Sequence, residues 1–260
     1  MRLIAACLLL LACSTASADP RADKVSWTDG GKDFDGYLVW DDATDAPRPG
    51  LVMVPNWMGV SDAAVAKAKT IAGKDYVILL ADVYGRGVRP ANAEEAGKTS
   101  AAAASDAAVL RSRIQAALAT LKASAGKTPL DPERVGAIGF CFGGLVALEL
   151  ARSGADVDGV AVFHSNLMTH QPAKAGELKA PVLVLHGSED KFVSPESIVA
   201  FKDEMRAAKA DWQFVEFGGA VHCFAEPDED GSLPGCEFHA PSHDRSMEMM
   251  RDFFGRNFAG

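Results

Sequence analysis

One cysteine is flanked by glycines at a spacing that suits nucleophilic catalysis. The run Gly139-Phe140-Cys141-Phe142-Gly143 follows the strand-like segment Val135 to Ile138 and precedes a predicted helix from Leu145 to Arg152. A nucleophile on a sharp strand-to-helix turn needs small neighbours, because the flanking backbone passes close by. The turn lifts the side chain above the sheet and puts a helix N-terminus beneath it, which favours a thiolate. We therefore predict that Cys141 is a nucleophile; the alternative is a small core residue.

Two further residues complete a candidate triad. A cysteine nucleophile needs a base, and the base needs an orienting acid. In folds with this turn the acid and the histidine follow the nucleophile in that order, and ligands gather where strands end. Asp190 and His222 each follow a predicted strand in this order, so we predict them as acid and base, with Glu189 as the rival acid. The backbone N–H of Phe142 is the predicted oxyanion donor.

Predicted strands and helices alternate in a way that would position these groups. Such alternation is typical of a mostly parallel sheet with helices on both faces. No interval is long enough for a second domain or a large lid, so we predict one α/β domain over residues 19–260. The predicted strands are Phe34–Trp40, Leu51–Val54, Tyr76–Leu80, Arg134–Ile138, Gly159–Phe163, Pro181–His186 and Trp212–Phe217, and the predicted helical regions are Ala63–Gly73, Ser100–Ser124, Leu145–Arg152, Pro195–Ala208 and Arg245–Phe254.

Together these motifs resemble the dienelactone hydrolase family, a branch of the α/β-hydrolase fold with a cysteine nucleophile. The resemblance covers most of the chain after residue 18. It is carried by residues 139–144, by His186-Gly187-Ser188-Glu189-Asp190, by His222 with Phe224, and by Asp82-Val83-Tyr84-Gly85-Arg86. It implies a Cys–His–Asp triad, hydrolysis of a small-molecule ester or lactone through an acyl-thioenzyme, and neither a metal nor an organic cofactor.

The resemblance also assigns roles around the substrate. It implies Trp57 as the second oxyanion donor and Arg86, Asn56 and Tyr84 as substrate-binding residues, although Arg86 would serve equally well in a surface ion pair. Asn56 stands where the family has a glutamate that helps to deprotonate the cysteine, and an amide cannot act as a base. Glu226 stands where the family has a second arginine for the substrate carboxylate. We expect an anion there to repel such a substrate, so dienelactone itself is not the expected substrate and a neutral ester or lactone is.

Two other histidines lie near the candidate site in sequence. His164 follows a predicted strand, which makes it a candidate for the pocket lining. His186 opens the loop that contains Asp190, and we expect its ring to hydrogen-bond the backbone of that loop.

The N-terminus is typical of an export signal. A basic start, the apolar run Leu3 to Ala12 and the small-residue site Ala16-Ser17-Ala18 predict a signal peptide over residues 1–18 and a periplasmic or secreted protein. The alternative is a lipoprotein anchored through Cys13. The apolar run is too short to cross a bilayer, so we expect no transmembrane segment.

Cysteine count and charge narrow the function further. Cys223 and Cys236 are 13 residues apart and are candidates for a disulfide in an oxidising compartment. Cys141 is then the odd thiol, and the lack of a C-x-x-C motif disfavours a redox role. The net charge of −9 argues against a nucleic-acid partner. We expect a monomer or small homo-oligomer; the rival to hydrolysis is a binding protein that keeps the scaffold without the activity.

Overall fold

The chain forms one eight-stranded sheet with helices on both faces. A computed structural model describes residues 20–259. The strand order is β1-β2-β4-β3-β5-β6-β7-β8; β3 to β8 run parallel, and β2 pairs antiparallel with both β1 and β4. The elements are β1 Arg21–Asp29, β2 Lys32–Trp40, β3 Arg48–Val54, α1 Asp62–Ala72, β4 Val77–Leu80, α2 Ala93–Ala104, α3 Ala107–Lys122, β5 Leu130–Phe140, α4 Phe142–Arg152, β6 Val160–Phe163, β7 Val182–Gly187, α5 Pro195–Ala208, β8 Trp212–Phe217 and α6 Ala240–Asn257. The predicted α/β fold is confirmed, whereas the predicted signal peptide lies outside the described residues.

Alternate residues of β3 pack into two separate cores. Leu51 and Met53 belong to the core beneath α1 and α6, and Val52 and Val54 belong to the core beneath α3, α4 and α5. All four are fully buried, because successive side chains of a strand point to opposite faces of the sheet and both faces are covered. The sheet is therefore held on both sides, and its carboxyl-terminal edge is a firm base for the loops that follow β3, β5, β7 and β8.

The strand β1 was not predicted from the sequence. It forms a hairpin with β2 in which Asp29 pairs with Lys32. The two turn residues, Gly30 and Gly31, have φ angles of 55° and 75°, and a two-residue turn with both φ angles positive favours glycine. Among the described residues, no helix is both long and apolar enough to span a membrane.

The Ala-rich region is two helices rather than one. The prediction of a single helical region over Ser100–Ser124 is wrong, because α2 ends at Ala104 and α3 begins at Ala107. The carboxylate of Asp106 accepts the first free N–H groups of α3, from Ala108 and Val109, which is the usual signature of a helix start. The break makes α2 a separate helix, and its residues Ser100, Ala101 and Ala104 lie beside the same pocket as Cys141.

Candidate active site

Cys141 lies on the turn between β5 and α4. Its φ and ψ angles are 53° and −117°, a left-handed conformation that is strained for any residue with a side chain. A Cβ on Gly139 would lie 2.1 Å from the carbonyl oxygen of Gly143, and a Cβ on Gly143 would lie 2.2 Å from that of Val54. The two glycines are therefore a steric requirement of the turn, as the sequence predicts. The thiol is free and partly exposed.

The histidine and the acid are in direct contact. Nδ1 of His222 is 2.7 Å from Oδ2 of Asp190. The other carboxylate oxygen of Asp190 accepts the backbone N–H groups of Phe192 and Val193, at 2.8 and 3.3 Å. Because both oxygens are engaged, the carboxylate is fixed in orientation. The side chain of the rival acid, Glu189, is exposed instead.

Asp190 and Cys141 together raise the pKa of His222. Burial by itself lowers the pKa of His222, but the hydrogen bonds with Asp190 and Cys141, together with the negative charge of both groups, raise it to about 10. At neutral pH the ring is then an imidazolium beside the carboxylate of Asp190 and the sulfur of Cys141. A positive charge beside a cysteine sulfur favours the thiolate form, which is the nucleophile.

A disulfide closes the loop that follows His222. Cys223 and Cys236, both buried, are joined, and the backbone N–H of Glu237 donates to the carbonyl of His222 at 3.1 Å. The cross-link thus holds a segment that bonds directly to the candidate base. Glu229 lies near the two sulfurs, but sulfurs joined in a disulfide are not thiolate ligands for a metal.

The thiol opens into a pocket of about 280 Å³. Three small side chains of α2 form one wall, and Phe192 forms part of another. Among residues 20–259, those that line this pocket include no lysine, arginine, aspartate or glutamate. The lining residues are Trp57, Ser100, Ala101, Ala104, Cys141, Phe142, Leu145, Asn166, Phe192, Val193 and His222.

Both predicted oxyanion donors lie beside the thiol. Phe142 and Trp57 line the pocket with Cys141. The N–H of Phe142 has no intrahelical acceptor, because Phe142 is the first residue of α4. Tyr84 is outside the lining, which corrects its assignment as a substrate-binding residue. Its hydroxyl donates to the carbonyl of Trp57 at 2.9 Å, and its ring stacks on Phe142 at 5.3 Å. Burial, and then the negative charge of Cys141 and Asp82, raise the pKa of Tyr84, so it remains a donor that holds both residues.

Two other predicted substrate-binding residues lie outside the pocket. The guanidinium of Arg86 is half exposed and bonds to Asp35 at 3.0 Å and to Asp33 at 2.9 Å, which is the surface ion-pair alternative. The side-chain oxygen of Asn56 accepts the N–H of Met58 at 3.1 Å and stabilises the turn of its own loop. These bonds engage both side chains, and neither residue lines the pocket.

Glu226 does not face the pocket either. Its carboxylate is buried and forms an ion pair with the ammonium group of Lys67 from α1. The expectation that Glu226 repels a carboxylate substrate is therefore wrong, because Lys67 neutralises the charge inside the protein. With Glu226 in place of the family's second arginine, the cation for a substrate carboxylate is missing. No lysine or arginine in the described lining replaces it.

The remaining two histidines differ from expectation. His164 is fully buried and is not part of the lining, but the centre of its ring is 5.0 Å from that of His222. Nδ1 of His186 has no hydrogen-bond partner in the described part of the chain and lies 3.9 Å from Asp190. The prediction that His186 bonds the backbone is wrong at that nitrogen.

Several lining residues were not found from the sequence. Phe192 packs on His222 with ring centres 5.0 Å apart and is 55% exposed. Its position two residues after Asp190, in a strand-end loop, was a usable signal. The α2 residues Ser100, Ala101 and Ala104 carry no such signal, because small side chains on an Ala-rich helix do not indicate which face meets a pocket.

Comparisons with known proteins show which family this chain and its fold resemble. The model of the dienelactone hydrolase family matches residues 34–258. A putative carboxymethylenebutenolidase of Methylorubrum extorquens is 31% identical over 209 residues, which are 73% of this chain and 70% of that protein. The solved structure of m3DLH is 36% identical with a TM-score of 0.85, over 93% of this chain and all of that one. A dienelactone hydrolase-like promiscuous phosphotriesterase from metagenomic libraries is also 36% identical, with a TM-score of 0.83 over 92% of this chain and 99% of that one.

Proposed function

The chain belongs to the dienelactone hydrolase family, and from that premise we propose that it is an exported hydrolase of neutral carboxylic esters or lactones. Cys141 is the nucleophile, His222 the acid and base, and Asp190 the group that orients His222. The observation that carries the proposal is the hydrogen bond of His222 with Asp190 at 2.7 Å, in the same pocket lining as the strained elbow cysteine.

The reaction has two halves. The Cys141 thiolate attacks the carbonyl carbon, and the N–H groups of Phe142 and Trp57 stabilise the resulting oxyanion. As the C–O bond breaks, His222 gives its proton to the leaving oxygen, which forms an alcohol and an acyl-thioenzyme. His222, now neutral, takes a proton from water as the water attacks the thioester. The C–S bond breaks, the acid leaves, and the thiolate and imidazolium are restored.

The uncharged pocket supports a neutral substrate. Family members that hold a carboxylate substrate need a cation for it. Here Arg86 is bound by two surface acids and Glu226 by Lys67, and the described lining contains no charged group outside the triad. Simple esters and uncharged lactones are therefore the expected class.

A catalytic assay tests the triad. Wild type should hydrolyse p-nitrophenyl acetate, Cys141→Ala should lose this activity, and mass spectrometry of the quenched wild type should find the acyl group on Cys141. Equal rates for wild type and Cys141→Ala, with a thiol that resists iodoacetamide, would favour the alternative of a binding protein on a hydrolase scaffold. Phosphotriesters are a second class to assay, because a relative that is 36% identical is a promiscuous phosphotriesterase.

The export step is supported by the sequence of residues 1–18 and by the disulfide between Cys223 and Cys236, a bond that is rare in reducing compartments. Fractionation and N-terminal analysis of the mature chain test it. A first residue of Asp19 is expected, a lipid on Cys13 would mean a membrane-anchored lipoprotein, and an intact N-terminus in the cytoplasm would contradict export.

A further inference from the structure

Three buried polar side chains form a series that ends at His222 but takes no part in the proposed reaction. Lys67 comes from α1, His164 directly follows β6, and Glu226 lies in the loop after His222. Their side chains are 7%, 0% and 1% exposed, and none of them lines the pocket. Groups that are costly to bury and that meet beside a catalytic base invite a functional explanation.

The first contact in the series is an ion pair. The ammonium of Lys67 bonds to Oε2 of Glu226 and lies 4.3 Å from the centre of the Phe140 ring. The two opposite charges compensate each other in the interior. Oε1 of Glu226 has no hydrogen-bond partner among the described residues and lies 3.7 Å from Nε2 of His164, which is beyond hydrogen-bond length.

The second contact joins His164 to the base. Neither ring nitrogen of His164 has a hydrogen-bond partner in the part of the chain that the structure describes, and its φ angle of 38° is left-handed. Its ring meets His222 edge to face. Burial, and then the positive charges of His222, Lys67 and, from β7, His186, lower the pKa of His164 well below its ordinary value. His164 is therefore uncharged.

The ring of His222 is thus held between two others. Phe192 packs on it from the pocket side, and His164 packs on it from the protein interior, both with ring centres 5.0 Å away. A phenylalanine at position 164 would avoid two unpaired nitrogens. The histidine instead gives the free oxygen of the Glu226 carboxylate a polar neighbour.

We propose that His164 is a positioning residue for His222: its uncharged ring holds the base in line with Asp190 and Cys141, and the ion pair of Lys67 with Glu226 keeps that ring uncharged. The inference rests on the proposed function, in which His222 is an imidazolium before each attack by Cys141.

Lys67 matters because of what Glu226 would do without it. An unpaired buried carboxylate 3.7 Å from His164 would draw a proton onto that ring. Two imidazolium rings 5.0 Å apart repel. The pair of Cys141 and His222 would then shift from thiolate and imidazolium to thiol and neutral imidazole.

Alkylation of Cys141 measures this shift without any ester substrate. Iodoacetamide labelling of the Cys141 peptide at pH 7, followed by mass spectrometry, should be at least about tenfold slower in Lys67→Met than in wild type. The double variant with Lys67→Met and Glu226→Gln should recover the rate, because no carboxylate remains to stabilise a protonated His164. Lys74→Met, an exposed lysine just after the same helix, is the matched control for loss of one positive charge.

Either of two results would overturn the inference: a folded Lys67→Met that labels as fast as Lys74→Met, or a double variant as slow as the single one. If Lys67→Met does not fold, the variants His164→Leu and His164→Phe test whether the ring at position 164 positions His222. Loss of the ring should lower kcat with little change in KM, whereas phenylalanine should retain more of kcat; equal kcat in the two variants would refute positioning by the ring. If the alkylation rates change as expected but no ester is hydrolysed, the proposed function is rejected, whereas the effect of Lys67 and His164 on the charge of His222 is still supported.

Discussion

Removal of the disulfide should lower both the stability and the activity of the protein. The perturbation is the double variant Cys223→Ala with Cys236→Ala. The bond joins residues 13 apart, and the loss of chain entropy that such a cross-link imposes on the unfolded state corresponds to about 3 kcal/mol. For a domain of this size that loss lowers Tm by about 6–12 °C. Because the loop bonds to the backbone of His222, kcat for p-nitrophenyl acetate should also fall.

The matched control for this variant is Cys141→Ala, which removes the free thiol and keeps the disulfide. Thermal unfolding followed by circular dichroism gives Tm for both variants. A double variant whose Tm lies within about 1 °C of the control would refute the assignment of the cross-link as a stabiliser of this loop. A large loss of Tm with unchanged kcat would separate the two effects and show that the bond does not position His222.

Three further perturbations test the elbow, the base and the pocket wall. Gly143→Ala should cost more than about 2 kcal/mol in urea unfolding, because its Cβ would lie 2.2 and 2.3 Å from two backbone carbonyl oxygens, whereas Gly218→Ala meets nothing within 4 Å and should be near wild type. Folding raises the pKa of His222 from about 6.5 to about 10. The stability that this shift confers is therefore complete below about pH 6.5 and is lost as the pH rises through about 10. Between about pH 7 and pH 10, the unfolding free energy of wild type should fall by more than that of Asp190→Asn. Ala104→Leu should lower kcat/KM for p-nitrophenyl butyrate more than for the acetate, and equal losses would mean that α2 does not limit substrate size.

The elbow was predictable because its requirement is local. The close approach of Gly139 to Gly143 depends on five consecutive residues. A steric requirement of this kind can be recognised from the local sequence alone. The order of Asp190 and His222 followed from the same logic, since both lie where a strand ends. The Gly30-Gly31 turn was an equally local signal for β1 that the sequence analysis missed.

Long-range pairings were not predictable from single positions. Lys67 and Glu226 are 159 residues apart, and nothing near either one indicates its partner, so the expected role of Glu226 was wrong. Arg86 is similar, because the acids that hold it lie on β2, more than fifty positions earlier in the chain. The fold determines which residue a charged side chain pairs with. A sequence motif shows only where the charged residue lies in the chain.

The division of the Ala-rich region is an intermediate case. Asp106 is a good helix-starting residue, but the alanine runs before and after Ser105 and Asp106 hide the interruption in a pattern based on composition. Only the cap contacts of Asp106 with Ala108 and Val109 distinguish two helices from one. The position of α2 against the pocket depends on that interruption, so this wall of the site was out of reach of the sequence.

On the proposed function, the pocket admits a neutral ester or lactone and must release a charged product. Hydrolysis leaves a carboxylate where an ester was, and an ion is poorly solvated in an apolar cavity without a counter-charge. The lining in residues 20–259 supplies no lysine or arginine, and the positive charge of His222 is already matched by the carboxylate of Asp190. The acid is better solvated in bulk water than in the pocket that made it. The acid product of a neutral ester should therefore leave the pocket readily, and it should inhibit the reaction little as it accumulates.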